Sequence, residues 1–206
     1  RRMTTKAPDP VARPDIAAVD LLPRPPVRYA GAEIDHATMD ARTRGFLAFY
    51  RGLPRDGDLP RRSSAGPEAL RPWLGNLMVL DPVDGGSDFR YRLYGSAIAH
   101  FAGFDMTGRT VRSFASKTGA FFLETYQRCL ALREPILTQN AAEHVSGMVL
   151  WERLLAPFRT DRDGLQIVAT NHPLPLVGDG PHTRPDGFDG PRPTGIRQSL
   201  PRLGDK

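Results

Sequence analysis

Asp88-Phe89-Arg90-Tyr91-Arg92-Leu93-Tyr94-Gly95 is the stretch on which the fold turns. Apolar and charged residues alternate from Phe89 to Leu93. Successive side chains of a strand point to opposite faces. The spacing therefore predicts a strand with Phe89, Tyr91 and Leu93 on one face and Arg90 and Arg92 on the other. Just upstream lies the turn cluster Asp84-Gly85-Gly86-Ser87, and before it the short apolar run Leu77-Met78-Val79-Leu80. Two strand-like runs joined by a glycine-rich turn read as a β-hairpin.

Outward from the hairpin, Ser96 to Phe101 reads as a short helix with Ser96 as its cap, stopped by Gly103. Asp105 to Phe114 has no clear period. Gly119 to Arg133 is a second helix, with Phe122, Tyr126, Cys129 and Leu130 as its buried stripe and Glu124 with Arg128 as an exposed i,i+4 pair. Pro135 ends it. A polar, edge-like strand follows over Ile136 to Val145, then a long apolar strand over Met148 to Arg159. The turn Asp161 to Gly164 leads into a Val/Ile/Thr-rich strand, Leu165 to Asn171. Toward the N-terminus, Phe46, Phe49, Tyr50 and Leu53 recur at helical spacing, which predicts a helix over residues 36–52 with Asp35 as N-cap and Pro54 just past its end. Pro67 suits the first position of a short helix reaching Leu70. Two strands, a helical middle and three strands make an α+β pattern with an antiparallel sheet.

The chain has 206 residues, which bounds it to about one domain. Its ends differ in composition from its middle. Residues 1–35 and 173–206 are dense in Pro, Gly, Arg and Asp, and such stretches bury too little apolar surface to offset chain entropy. They are expected to be disordered tails around a folded domain at 36–172. The net charge is +5, carried mostly by the tails, so the middle is near neutral and a nucleic-acid surface is not expected there. One cysteine, Cys129, rules out an internal disulfide framework and suits a reducing, cytoplasmic compartment. No apolar run approaches the roughly 18 residues a membrane crossing needs. Arg1-Arg2 is not followed by an apolar segment, so export is not expected, and Met3 reads as a plausible start.

In this order the segments resemble PAS domains, and more closely the alphaproteobacterial PAS_5 type. The resemblance rests on Phe49-Tyr50-Arg51-Gly52, Asp58-Leu59-Pro60, Leu74-Gly75-Asn76-Leu77-Met78-Val79-Leu80-Asp81, the hairpin strand Asp88 to Gly95, Phe104-Asp105-Met106-Thr107-Gly108-Arg109, and Leu154-Leu155-Ala156-Pro157-Phe158. Two departures stand out: Tyr50 where the family usually has a Trp in the first helix, and Phe158 where it tends to have Leu. The resemblance implies a five-stranded antiparallel sheet, short helices over its concave face and an N-terminal flanking helix. It also implies a sensory or interaction role in bacterial signalling, acting in trans on an unidentified partner. The 36–52 helix is a candidate homodimer element.

On that architecture the residues expected to wall a cavity are Tyr91, Leu93, Phe101, Phe104, Phe122, Tyr126, Trp151 and Leu155, with Glu152 as a polar anchor. Aromatics at a strand or helix period are core first, so packing is the competing reading. Alternation places Glu152 opposite in face to Trp151 and Arg153, so one of the charged pair must point toward the helices and needs a partner there. Arg109, after Thr107-Gly108, reads as a loop pin or an anion contact.

Haem and flavin are disfavoured. His100 sits outside the helix that supplies an axial ligand, and Cys129 lacks the Asn-Cys-Arg-like context of a flavin adduct. Cys129 reads as a small buried hydrophobe. His36, His100, His144, His172 and His182 have no paired metal-ligand spacing. Asp81, Asp84 and Asp88 flank a turn and lack the glycine and Glu of a calcium loop. No nucleophile elbow or phosphate loop is present, so no catalytic residues are assigned. The competing readings are a small-molecule enzyme on a cupped α+β scaffold, with Glu152 its one named candidate, and a nucleic-acid-associated regulator using the tails.

Overall fold

The Asp84-Gly85-Gly86 turn closes the hairpin as its composition predicts. All three residues have positive φ (49°, 68° and 89°), a backbone that glycine adopts without strain. The computed structural model describes Ile16 and residues 27–55, 57–144 and 147–174. All of these fall within Arg1–Leu176, the first of two units into which the chain divides. Among the described residues there are six strands: β1 (Val27–Ala30), β2 (Leu77–Val83), β3 (Asp88–Tyr94), β4 (Ile136–His144), β5 (Gly147–Arg159) and β6 (Leu165–Leu174). Four α-helices accompany them: α1 (Ala41–Gly52), α2 (Pro67–Leu70), α3 (Ser96–Ala102) and α4 (Ser116–Leu132). The strands form one sheet in the order β1-β4-β5-β6-β2-β3, and every neighbouring pair is antiparallel.

The sheet is buried on both faces. Met78, Leu80, Phe89, Tyr91, Ile136, Trp151, Leu155, Ile167 and Ala169 join α3 and α4 in one apolar cluster, to which buried Ile16 also belongs. This is the cup. Leu77, Val79, Leu137, Leu154, Ala156, Phe158 and Val168 face the other way and pack against Phe46, Leu47 and Tyr50 of α1. Tyr50 and Phe158 meet edge to face at 5.3 Å, and the Tyr50 hydroxyl donates to the Pro157 carbonyl at 2.8 Å. The two departures from the family pattern therefore contact each other on the face away from the cup.

Several expectations are corrected. The chain supplies six strands, because Val27–Ala30 pairs with β4 from inside the stretch expected to be tail. β4 is consequently not an edge. Arg28 fixes this added strand: its guanidinium donates to both carboxylate oxygens of Glu124, at 2.7 and 3.2 Å, and lies 4.8 Å over the Phe121 ring. Glu124 thus pairs across space with Arg28, where an i,i+4 pair with Arg128 was expected. The first helix begins at Ala41, not 36, because Asp40 is its N-cap and accepts from the Arg42 amide. Asp35 instead accepts from the Ala37 amide in the preceding turn. At the other end, Pro173 and Leu174 extend β6, and the rest of the expected C-terminal tail lies outside the described residues.

Candidate functional site in the cup

β5 is the third strand from one edge of the sheet and carries the longest buried run. Its alternation points Trp151, Arg153 and Leu155 into the cup and Glu152, Leu154 and Ala156 the other way. Arg153 is only 5% exposed. Its Nη1 donates to the Tyr126 hydroxyl at 2.9 Å, its Nε to Asn171 Oδ1 at 3.4 Å, and its guanidinium lies 4.3 Å over the Phe122 ring. The Tyr126 and Tyr91 hydroxyls are 2.9 Å apart, so α4 and β3 meet at the same polar point. Burial first, then the neighbouring Tyr126 hydroxyl, pushes the Tyr91 phenol well above its usual range, so it stays protonated.

Register makes this cluster a row. Thr138 on β4 and Asn171 on β6 are the direct partners of Arg153 on β5, so the three side chains lie side by side across the cup floor. Thr138 Oγ1 is buried and has no hydrogen-bond partner. Above the row lies a void of about 20 Å³, lined by Arg153, Asn140 and Asn171 on the polar side and by Tyr94, Phe104 and Trp151 among others on the apolar side. That is room for about one water molecule. Elsewhere, an open groove of about 450 Å³ runs between the hairpin turn and α4, lined by Gly85, Gly86, Phe89, Gln127 and Leu130 among others.

The structure brings Tyr91, Phe104, Phe122, Tyr126, Trp151 and Leu155 together in the cup cluster, with half-buried Phe101 against Trp151 at 5.9 Å. It does not bring Leu93 there. A β-bulge leaves Arg92 without a register partner, since Val79 faces Leu93 while Leu80 faces Tyr91. The extra residue reverses the alternation, so Leu93 is 37% exposed and Tyr94 takes its place in the cup. Glu152 is corrected too. It is fully buried on the opposite face, where it accepts from the Asp40 amide at 3.0 Å and from Gln139 Nε2 at 2.9 Å. Its register partner is His172, also buried, whose pKa is pushed down to about 4 by burial and, less, by Arg42.

Arg153, Thr138, Asn171 and Tyr94 are among the cup residues that the sequence reading did not assign. Arg153 was within reach, because it stands two residues after Trp151 and so shares its face. The bulge that admits Tyr94 leaves no such signal in the sequence. The Arg109 side chain is exposed, while its backbone carbonyl accepts from the Tyr91 amide at 3.0 Å and thereby covers the edge of β3. His100 is exposed and Cys129 is buried. The three aspartates diverge: Asp81 accepts from Gln166, Asp88 from its neighbouring Phe89 amide, and Asp84 forms the turn. Among the described residues no three His, Cys, Asp or Glu side chains converge on a point that would hold a metal ion.

A family model described as a PAS domain, PAS_5, matches residues 38–169. The chain belongs to the PAS domain family. The matched stretch includes α1 and most of the cup but not Ile16, Asn171 or β1, the last an addition at the sheet edge. No curated protein matches this PAS domain. Solved structures similar to it include an RNA-binding light-oxygen-voltage receptor, at 13% identity and TM-score 0.44, over 76% of this chain and 39% of that one. The chain thus spans about two fifths of that receptor. A light-oxygen-voltage domain studied with a flavin analogue is similar at 12% identity and TM-score 0.39, over 52% and 83% of the two chains. The PAS domain of an HTR-like protein from Haloarcula marismortui is similar at 20% identity and TM-score 0.38, over 54% and 92%.

Proposed function

We propose that this PAS domain is a cytoplasmic sensory module that takes a small ligand in the cup and passes its state to a partner protein. One observation carries the reading. A charged and hydrogen-bonding row, Thr138–Arg153–Asn171, is built across the floor of an otherwise apolar core, where packing alone would use hydrophobic side chains. The enzyme reading is weakened, because its one named residue, Glu152, points away from the cup. Most of the tails invoked for a nucleic-acid-associated regulator lies outside the described residues. No helix among the described residues is long and apolar enough to cross a membrane.

A second reading, a pure interaction module, is favoured by the small size of the void. A homodimer through α1 is constrained in either case. The apolar stripe of that helix is spent on its own sheet, so a second copy would meet the outward Arg42, Arg44 and Arg51. The deciding experiment is amide hydrogen exchange on the full chain during a small-molecule screen. The sensory reading expects a saturable ligand that slows exchange in α3 and α4. If no compound binds, and α3 and α4 already exchange as slowly as β5, the interaction reading replaces it.

A further inference from the structure

Among the described residues the positive charge of Arg153 is unanswered. Its partners are a tyrosine hydroxyl, an amide oxygen and an aromatic ring, all neutral, and no carboxylate lies within 4 Å of it among the described residues. A buried cation in that setting is costly, and the neighbours on its own strand face, Trp151 and Leu155, show that the position accepts apolar groups. Resting on the sensory reading above, we propose that the ligand of the cup is a small organic monocarboxylate whose carboxylate sits on Arg153.

Three further features fit that chemistry. Arg153 makes these hydrogen bonds through Nε and Nη1, which leaves Nη2 to donate a charge-assisted bond to a carboxylate oxygen. Thr138 is the register partner of Arg153 one strand over; its Oγ1 is a buried hydroxyl with no partner among the described residues, and although it does not line the void itself it is a spare donor in the same row. The void touches Arg153 on one side and Tyr94, Phe104 and Trp151 on the other. A charged head and a short apolar body match these two walls. At about 20 Å³ the void takes about one water-sized group, such as a single carboxylate oxygen, so the rest of the ligand needs more room. The body needs α3, which lines the void through Ile98 and Ala102, to move outward.

The test is isothermal titration and thermal shift on the full chain with acetate, butyrate and benzoate, at ionic strength held constant. Butyramide, benzamide and sodium chloride are the comparison arms. At least one carboxylate is expected to bind saturably, its neutral amide at least about tenfold more weakly, and chloride not at all; tenfold is about 1.4 kcal/mol. Arg153→Met should abolish the binding. Should that variant fail to fold, Thr138→Val decides. It keeps the shape of the side chain, is expected to leave the free chain at least as stable, and should weaken carboxylate binding several-fold. Amides binding as tightly as acids, or carboxylate binding that survives both substitutions, would overturn the assignment while leaving the sensory reading intact. Equal shifts with chloride would reassign the site to a simple anion. No binding by any acid, with a neutral compound found in the screen, would likewise remove the carboxylate and keep the module.

Discussion

His172 carries two ring nitrogens into the protein with nothing to bond. It is 2% exposed, and neither nitrogen has a hydrogen-bond partner. Its register partner is Glu152 on β5, and Asp40 and Arg42 face it from the start of α1. Burial first, and Arg42 next, lower its pKa from 6.5 to about 4, with Asp40 opposing. The sign follows from linkage. Between those two values the unfolded chain binds the proton more readily than the folded one, so stability rises with pH and falls on acidification from 6.5 toward 4. This group alone should remove about 2 kcal/mol between pH 7 and pH 5. Urea melts of the wild type and His172→Leu at both pH values check it: the variant should lose less stability on acidification by about that amount. Equal losses in the two proteins would show that His172 titrates normally. In the sequence, His172 was one of five scattered histidines, and nothing marked it as buried. Its neighbour Arg153 was more legible, because face parity with Trp151 follows from counting. Glu152 was misplaced against the same parity: with Trp151 assigned to the cup wall, alternation brings Arg153 in with it and puts Glu152 on the other face.

Elements were legible where local chemistry dictates them and obscure where a distant segment decides. The hairpin, α4 and the last two strands follow from period and turn residues. The Arg92 bulge does not, because it answers to the register of β2 and β3 together. Gly95 is a similar case. The motif ends in glycine because its Cα abuts the backbone of Gly75, and an added Cβ would lie 2.7 Å from the Gly75 carbonyl carbon and 2.9 Å from the Leu77 nitrogen. Gly95→Ala should therefore cost about 1–3 kcal/mol. Gly75→Ala should be tolerated, since its Cβ would meet Ala97 at an ordinary 3.5 Å. Thermal melts of the two variants separate them, and equal melting points would refute the close approach. The start of α1 gives a parallel test. Asp40, whose carboxylate accepts from the Arg42 amide, should cost about 1 kcal/mol as Asp40→Ala. Asp35→Ala should cost less, because Asp35 serves only an exposed turn. The reverse order in denaturant melts would restore Asp35 as the cap.

At the scale of the molecule, the sheet is a partition between two layers that sequence periodicity cannot arrange. Both the cup and the back layer draw on the same strands, and β5 carries a buried charged residue toward each: Arg153 to the cup, Glu152 to the back. The four-residue β1 escaped notice for a related reason. A strand that short is specified by its partner β4 and by the Arg28–Glu124 contact, not by its proline-rich surroundings. Arg153 in the cup is adjacent in sequence to Glu152, which holds the Asp40 amide where α1 begins. Removing that acceptor should loosen the back layer alone. In Glu152→Ala, the Asp40 amide and Gln139 side chain lose a buried partner, at a cost of about 1–3 kcal/mol. Amide exchange should then quicken by tenfold or more over Asp40 to Arg44, while α4 keeps its protection because Phe122 and Tyr126 still pack on Arg153 and Phe89. Hydrogen exchange resolved by residue reads both layers in one experiment. Equal acceleration in α1 and α4 would mean that the domain opens as a unit and that the two layers do not unfold separately.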